Sequence, residues 1–170
     1  MPKENPPFNS LAHYLRHTKV KDIMKAPATT MREEDSLSVA LLKFIGHRVS
    51  HVAVLDETNR LIGVISKKYL YRAHAPRRLQ LGQMVYAPDM IVDGDAYFSK
   101  GDLDGYFLSQ VIKRDPLALR ENDTLADAVD TMWRKNLAYL PIVDRNRYVV
   151  GALTDQDVIA YFAQIAAGAS

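Results

Sequence analysis

The sequence contains no cysteine among its 170 residues. Disulfide bonds and thiolate metal sites are therefore excluded, and nothing in the composition indicates secretion. An excess of charge of one sign is also missing, since the formal net charge is only +2. This balance argues against strong non-specific attraction to nucleic acid or to anionic lipid.

Long apolar runs are missing as well. No stretch reaches the roughly 20 residues that a membrane-spanning helix requires. The first ten residues, MPKENPPFNS, lack the apolar core of a secretory signal peptide. What is present is ordinary: hydrophobic residues make up 48% and charged residues 25% of the chain. This composition predicts a soluble globular protein, which we expect in the cytoplasm.

An internal repeat dominates the sequence. The stretch HVAVLDETNRLIGVISKKY, which begins at His51, aligns without a gap with YLPIVDRNRYVVGALTDQD, which begins at Tyr139. The offset is 88 residues, so that Asp56 falls on Asp144, and the match extends upstream over about fifty residues in all. A repeat of this length indicates two copies of one supersecondary unit.

Each copy predicts a β-α-β-β-α order. A short strand at 28–31 or 117–119 is followed by a helix whose N-cap is Ser36 or Thr124, because these hydroxyls can satisfy free N–H groups of a first helical turn. Two short apolar strands and a last helix, which starts at Ser66 or Thr154, complete the unit. The first helix of copy one, 36–45, is apolar on more than one face, which predicts burial against a second partner. We therefore expect an α/β (α+β) fold in which the two repeats pack as a pseudo-two-fold pair.

The predicted organisation has four parts. These are an N-terminal extension (1–18), repeat 1 (19–72), an insert (73–107) and repeat 2 (108–170). The insert has no counterpart elsewhere in the chain, and its apolar content is too high for a disordered linker. Asp93-Gly94 stands between two apolar runs, which predicts a hairpin turn in an ordered insert.

The repeats resemble CBS (cystathionine-β-synthase-type) domains, and two in tandem resemble a CBS pair, or Bateman module. The stretches that carry the resemblance are VKDIM, HVAVLD and GVIS in copy one, and AYLPIVD and GALTDQD in copy two. Copy one departs from the pattern, because Ala53 replaces the proline and Tyr69 the aspartate of copy two. The family implies a small sensory module, not an enzyme, which binds adenosine-containing ligands between the two copies. It also implies pairing as a homodimer, and regulation of an attached protein or of a partner in trans.

A ribose diol needs a carboxylate partner, and only copy two supplies one, so we expect one ligand site per chain, in the cleft served by copy two. By the resemblance, Asp157 would accept the ribose hydroxyls, and Thr154 would contact the phosphate side. The adenine would lie between the start of the first strand and the backbone of the next strand. Lys67 or Lys68 of copy one could add positive charge for the phosphates. The complete set of expected ligand-binding residues is Asp157, Thr154, Leu117, Ala118, Tyr139, Leu140, Pro141, Lys67 and Lys68.

Alternative readings stay open at this point. Thr154 and Asp157 also fit a helix capping box that needs no ligand, and Lys67 and Lys68 also fit a solvated helix face. At the level of function, the sensor of AMP, ADP, ATP or S-adenosylmethionine competes with a purely structural dimerisation module. No catalytic set of residues and no obligatory cofactor is expected. A metal site is not expected either, because His13 and His17 have metal-compatible spacing but no third ligand nearby in the sequence.

Overall fold

The structure, a computed structural model, describes residues 9–78 and 88–168, with side chains from residue 11 onward. The described part of the chain forms two compact units. The central unit is Thr29–Pro116, and the terminal unit joins the described residues up to Ala28 with those from Leu117 onward. No helix in the described ranges is long and apolar enough to cross a membrane.

The terminal unit contains the second predicted copy. Its elements are α1 (Asn9–His17), a 3₁₀ turn (Val20–Asp22), α5 (Leu125–Lys135), β8 (Tyr139–Val143), β9 (Val149–Thr154) and α6 (Asp155–Gly168). Strands β8 and β9 form an antiparallel pair. The apolar stripe of α5 packs on this pair, and the buried core comprises Val20, Leu125, Ala128, Met132, Leu140, Ile142 and Leu153.

The central unit contains the first copy and the insert. Its elements are β1 (Thr30–Arg32), α2 (Leu37–His47), β2 (His51–Leu55), β3 (Leu61–Ser66), α3 (Lys67–Ala73), β4 (Arg77–Arg78), β5 (Met90–Asp93), β6 (Ala96–Ser99), α4 (Lys100–Asp104), a 3₁₀ turn (Leu108–Gln110) and β7 (Lys113–Arg114). The strands form a four-stranded sheet in the order β1-β2-β3-β7 and a three-stranded sheet in the order β4-β6-β5. The mixed α/β fold predicted from the repeat is thereby confirmed.

The turns between the paired strands are built identically in the two copies. Asp56 accepts hydrogen bonds through Oδ1 from the backbone N–H groups of Thr58 (2.8 Å) and Arg60 (2.9 Å). Asp144 Oδ1 accepts from Asn146 N (2.8 Å) and Tyr148 N (2.9 Å) in the same way. A carboxylate that bonds its own backbone two and four residues ahead fixes the turn, so the repeat is a repeat of structure as well as of sequence.

The segments that lead into the two copies are exchanged. Residues 20–25, at the start of copy one, lie in the terminal unit on β9. Residues 108–113, at the start of copy two, lie in the central unit on β3. Lys25 and Ala152 donate their N–H groups to each other's carbonyl oxygens, at 2.9 Å each, and Lys113 pairs with Val64 at the matching position. Each compact unit therefore contains residues from both sequence repeats.

Two glycines make this exchange possible. A Cβ atom on Gly63 would lie 2.9 Å from Cδ1 of Ile112, and one on Gly151 would lie 2.6 Å from Sδ of Met24. It would also lie 3.0 Å from the carbonyl oxygen of Lys25. Only a residue without a side chain lets the lead-in segment approach the strand this closely.

The predicted first strand of copy two is shorter than its counterpart. Strand β1 pairs with β2 in parallel over three residues, whereas the prediction for 117–119 reduces to one parallel bridge between Leu119 and Ile142. Ala53 on β2 has an N–H group to donate to the ladder, but Pro141 at the matching position of β8 has none. The parallel pairing of copy two is therefore limited to the bonds around Leu119.

The described part of the insert forms a hairpin and a short helix. Asp93 pairs with Ala96, so that Gly94 and Asp95 form the two-residue turn of the β5–β6 hairpin, with Gly94 at φ 65°. Ser99 caps α4 by accepting from Asp102 N. Ile91, Phe98 and Leu103 belong to the core of the central unit. Residues 79–87, on which part of the prediction depended, lie outside the described residues.

Candidate functional site

Three short segments of the terminal unit carry most of the predicted ligand-binding residues. Thr154 ends β9 and Asp157 lies in the first turn of α6. Tyr139, Leu140 and Pro141 are consecutive on β8, and β8 pairs directly with β9, so that Tyr139 stands opposite Thr154. The expected adenine and ribose ends of the site are therefore brought together by one β-hairpin and the helix that follows it.

The segment 117–118 lies along the other edge of β8. Leu119 donates its N–H group to the carbonyl oxygen of Pro141 (3.1 Å) and accepts from Val143 N (2.8 Å). Because backbone groups alternate between the two edges of a strand, the backbone of Tyr139 faces the same edge as that of Pro141. Leu117 is exposed and Ala118 half-buried, so this edge combines backbone polar groups with apolar side chains.

Thr154 and Asp157 form a complete capping box. Asp157 Oδ2 accepts from the backbone N–H of Thr154 (2.9 Å) and from its hydroxyl (2.5 Å), and Asp157 N donates to Thr154 Oγ1 (3.2 Å). This arrangement satisfies free donors at the start of α6. The capping alternative is therefore part of the structure, and any ligand role of these residues would be additional to it.

Asp157 has a second partner that sequence reasoning missed. Nζ of Lys25 lies 2.8 Å from Asp157 Oδ1, and the Asp157 side chain is only 9% exposed whereas that of Lys25 is 74% exposed. Burial acts to raise the pKa of Asp157, but the hydrogen bonds from Lys25 and Thr154 outweigh it, and the pKa lies below its ordinary value. The carboxylate is therefore ionised at neutral pH, and it is paired with an ammonium group whose side chain is exposed.

A sequence signal for Lys25 existed but pointed to the wrong copy. A lysine is the last residue of the lead-in segment in both repeats, namely Lys25 in 20–25 and Lys113 in 108–113. Linear order places Lys25 with Ser66 and Tyr69 of copy one. Only the exchange of lead-in segments brings it to Asp157.

The remaining predicted residues belong to the central unit. Ser66 caps α3 by accepting from Tyr69 N (3.1 Å). Tyr69 itself occupies the position that matches Asp157, and its side chain is half-exposed. Lys67 Nζ lies 2.5 Å from Asp93 Oδ2 of the insert and 5.7 Å from the centre of the Tyr71 ring. The ammonium of Lys67 is therefore already neutralised within its own unit, whereas Lys68 is exposed.

No side-chain set of the kind that binds metal ions in proteins is present in the described ranges. They contain no group of three or more histidine, aspartate or glutamate side chains that could hold an ion. His13 and His17 stack with ring centres 4.0 Å apart, and His17 Nδ1 lies 2.8 Å from the carbonyl oxygen of His13.

Curated relatives match this chain over most of its length. L-aspartate semialdehyde sulfurtransferase of Methanocaldococcus jannaschii is 23% identical over 94% of the chain, and a homoserine O-acetyltransferase of Methanohalobium evestigatum is 20% identical over 87%. The chain spans only 25% of the length of each of these two relatives. The similarity therefore concerns one part of much longer proteins.

Solved structures share the fold. The CBS domain pair of protein MJ0100, in complex with 5′-methylthioadenosine and S-adenosyl-L-methionine, superimposes with a TM-score of 0.66 at 22% identity. The comparison covers 86% of this chain and 97% of that one. CBSX2 in complex with AMP gives a TM-score of 0.66 at 20% identity, over 87% of this chain and 98% of that one.

The family itself is established by sequence. The model of the CBS domain family matches residues 20–75 and 108–164, which is more than half of the chain and includes both repeats. The resemblance drawn from HVAVLD and GALTDQD is thereby confirmed. The chain belongs to the CBS domain family and contains a tandem pair of these domains.

Proposed function

We propose that the chain is a regulatory, non-catalytic module that binds an adenosine-containing ligand through the terminal unit. The observation that carries the proposal is the Asp157 carboxylate. It is ionised, almost buried, held by Thr154 through Oδ2, and paired with Lys25 through Oδ1. An oriented anionic acceptor of this kind suits the paired hydroxyls of a ribose.

The surrounding residues supply the other contacts. The ribose hydroxyls bond Asp157, and the phosphate side of the ligand lies towards Thr154. The adenine lies along the edge of β8 that faces the segment 117–119, against Leu117 and Ala118. On that strand Leu140 contributes only its backbone, because its side chain is fully buried in the core, while Tyr139 and Pro141 form the rest of the wall.

Copy one contributes less to the proposal. Tyr69 stands where copy two has Asp157, and a phenol cannot replace a carboxylate as a double acceptor. We therefore propose one ligand site per chain. Lys67 and Lys68 belong to the central unit, where Lys67 is paired with Asp93. Their contact with the phosphates stays a prediction from the sequence, and we assign the ligand contacts to the terminal unit alone.

Related structures support the choice of ligand class. Two CBS proteins of the same fold have been solved with AMP and with S-adenosyl-L-methionine. We extend adenosine recognition to this chain on the strength of the Asp157 geometry. As part of the same proposal, ligand binding by the module regulates either an attached protein or a partner protein in trans.

A calorimetric titration with AMP, ADP, ATP and S-adenosylmethionine tests the function. We expect saturable binding of at least one ligand with one site per chain. A ligand at 100 times its dissociation constant should raise the free energy of unfolding by about 2.7 kcal/mol, which a thermal-shift measurement detects. Absence of binding by all four ligands would favour the structural dimerisation module, and two equivalent sites would contradict the role given to Asp157.

We further propose that the chain is a cytoplasmic homodimer. Within the central unit, Val39 and Leu42 on α2 are 41% and 49% exposed, and in the terminal unit Trp133 and Ile159 are 83% and 60% exposed. Val39 and Leu42 lie three residues apart and therefore on one face of α2, and an exposed apolar helix face of this kind suits contact with a second copy. Light scattering is expected to give twice the chain mass at micromolar concentration, and a mass of one chain at all concentrations would refute the dimer.

A further inference from the structure

Lys25 occupies the part of Asp157 that the proposed ligand requires. Oδ2 of Asp157 already accepts two hydrogen bonds from Thr154, and Oδ1 accepts from Lys25 Nζ at 2.8 Å. A ribose hydroxyl that bonds Oδ1 therefore competes with the ammonium group. Binding of the sugar and the position of Lys25 are consequently coupled.

The anchoring of Lys25 lets the ammonium move without disturbing the fold. Its backbone is fixed to β9 by the two 2.9 Å bonds with Ala152, while its side chain is 74% exposed. A lysine side chain has a flexible four-carbon stem. Asp157 exchanges the ammonium for a ribose hydroxyl and is not left unpaired, and the displaced ammonium belongs to an exposed side chain. We therefore expect the cost to stay near that of an exposed ion pair, which changes an equilibrium by less than about fivefold.

Once displaced, the ammonium stays near the bound ligand because its backbone does not move. The local field then depends on what the ligand carries. Without Lys25, a phosphate near the ribose would meet the uncompensated carboxylate of Asp157. A phosphate offers the freed ammonium a new charge-assisted hydrogen bond, whereas a neutral nucleoside leaves it without a partner.

We propose that Lys25 is the residue that makes this site selective for adenosine ligands that carry negative charge. The inference rests on the proposed function and refines it to nucleotides. Lys25 closes over Asp157 in the free protein and transfers to a phosphate when the ribose takes Oδ1. Adenosine breaks the Lys25–Asp157 ion pair and offers the ammonium no new partner. The positive sulfonium of S-adenosylmethionine in addition repels the ammonium of Lys25.

The test is a comparison of AMP, adenosine and S-adenosylmethionine by calorimetry on wild type and Lys25→Met. A charge-assisted hydrogen bond corresponds to roughly tenfold or more in affinity, so wild type should bind AMP about tenfold tighter than adenosine. Lys25→Met should strengthen adenosine binding by about two- to fivefold, because no ion pair has to be broken. AMP gains the same relief but loses the tenfold contribution of the phosphate bond, so its affinity should fall by about two- to fivefold. Lys25→Arg keeps the charge and should retain the preference for AMP.

Lys21→Met is the matched control. Lys21 belongs to the same lead-in segment, is exposed, and is fixed through its backbone N–H to Glu121. Its replacement should change neither affinity. Wild-type AMP affinity in Lys25→Met, or an equal loss for AMP and adenosine, would overturn the role of Lys25 while leaving the proposed function standing. No binding of any of the three ligands to wild type would overturn both.

Discussion

Replacement of Asp157 by alanine is expected to weaken AMP binding by about tenfold to a thousandfold. Each charge-assisted hydrogen bond to the ribose contributes about 1.5–3 kcal/mol, and every 1.4 kcal/mol corresponds to about a factor of ten. Asp157 is the oriented carboxylate of the proposed site, and Tyr69 at the matching position of copy one cannot take over its role. Calorimetry with AMP measures the effect directly.

Asp127 provides the control, because it forms the same capping box without a predicted ligand role. Its Oδ2 accepts from Thr124 N (2.9 Å) and from the Thr124 hydroxyl (2.6 Å), and Asp127 N donates back to Thr124 Oγ1 (3.1 Å). Loss of a cap costs about 0.5–2 kcal/mol of stability. Both alanine variants should therefore lose stability, but only Asp157→Ala should lose affinity. Equal AMP affinity in the two variants would reduce Asp157 to a capping residue.

Phe98→Ala is expected to be among the most destabilising single substitutions in the central unit. Phe98 comes from the insert, yet its side chain is only 2% exposed, and its ring centre lies 5.1 Å from that of Tyr71 on α3. Removal of a buried phenylalanine costs about 3–5 kcal/mol, since it loses transfer free energy and leaves a cavity. Chemical denaturation of wild type and variant gives the change in the free energy of unfolding.

Phe107→Ala is the matched substitution for this test. Phe107 closes the same insert but is 46% exposed, so its loss removes much less buried apolar area. We expect a clearly smaller change than for Phe98→Ala. If both variants lost the same small amount of stability, the insert would be an appendage and not a part of the core.

Local features of the fold could be predicted from the sequence alone. Strands β2 and β8 begin at His51 and Tyr139, where the two matched stretches begin, and the hydroxyls of Ser36, Thr124 and Ser66 cap their helices. A hairpin turn follows Asp93, at Gly94 and Asp95, one residue beyond the predicted pair. These features depend on residues close together in the chain, because caps, turns and apolar alternation are set by neighbours. The 88-residue repeat added the family and the two-copy organisation.

The partners of these elements were decided by tertiary structure. The exchange of lead-in segments, the shortened pairing around Leu119 and the ion pair of Lys25 with Asp157 all join residues that are far apart in the sequence. A repeat shows that two units have the same form, but it does not show which unit a flanking segment packs against. The close approach at Gly63 and Gly151 is available in both copies, so it permits the exchange without choosing the partner, and the N–H donor that Pro141 lacks shortens the pairing around Leu119. Both are properties of strands in contact, which no single segment contains.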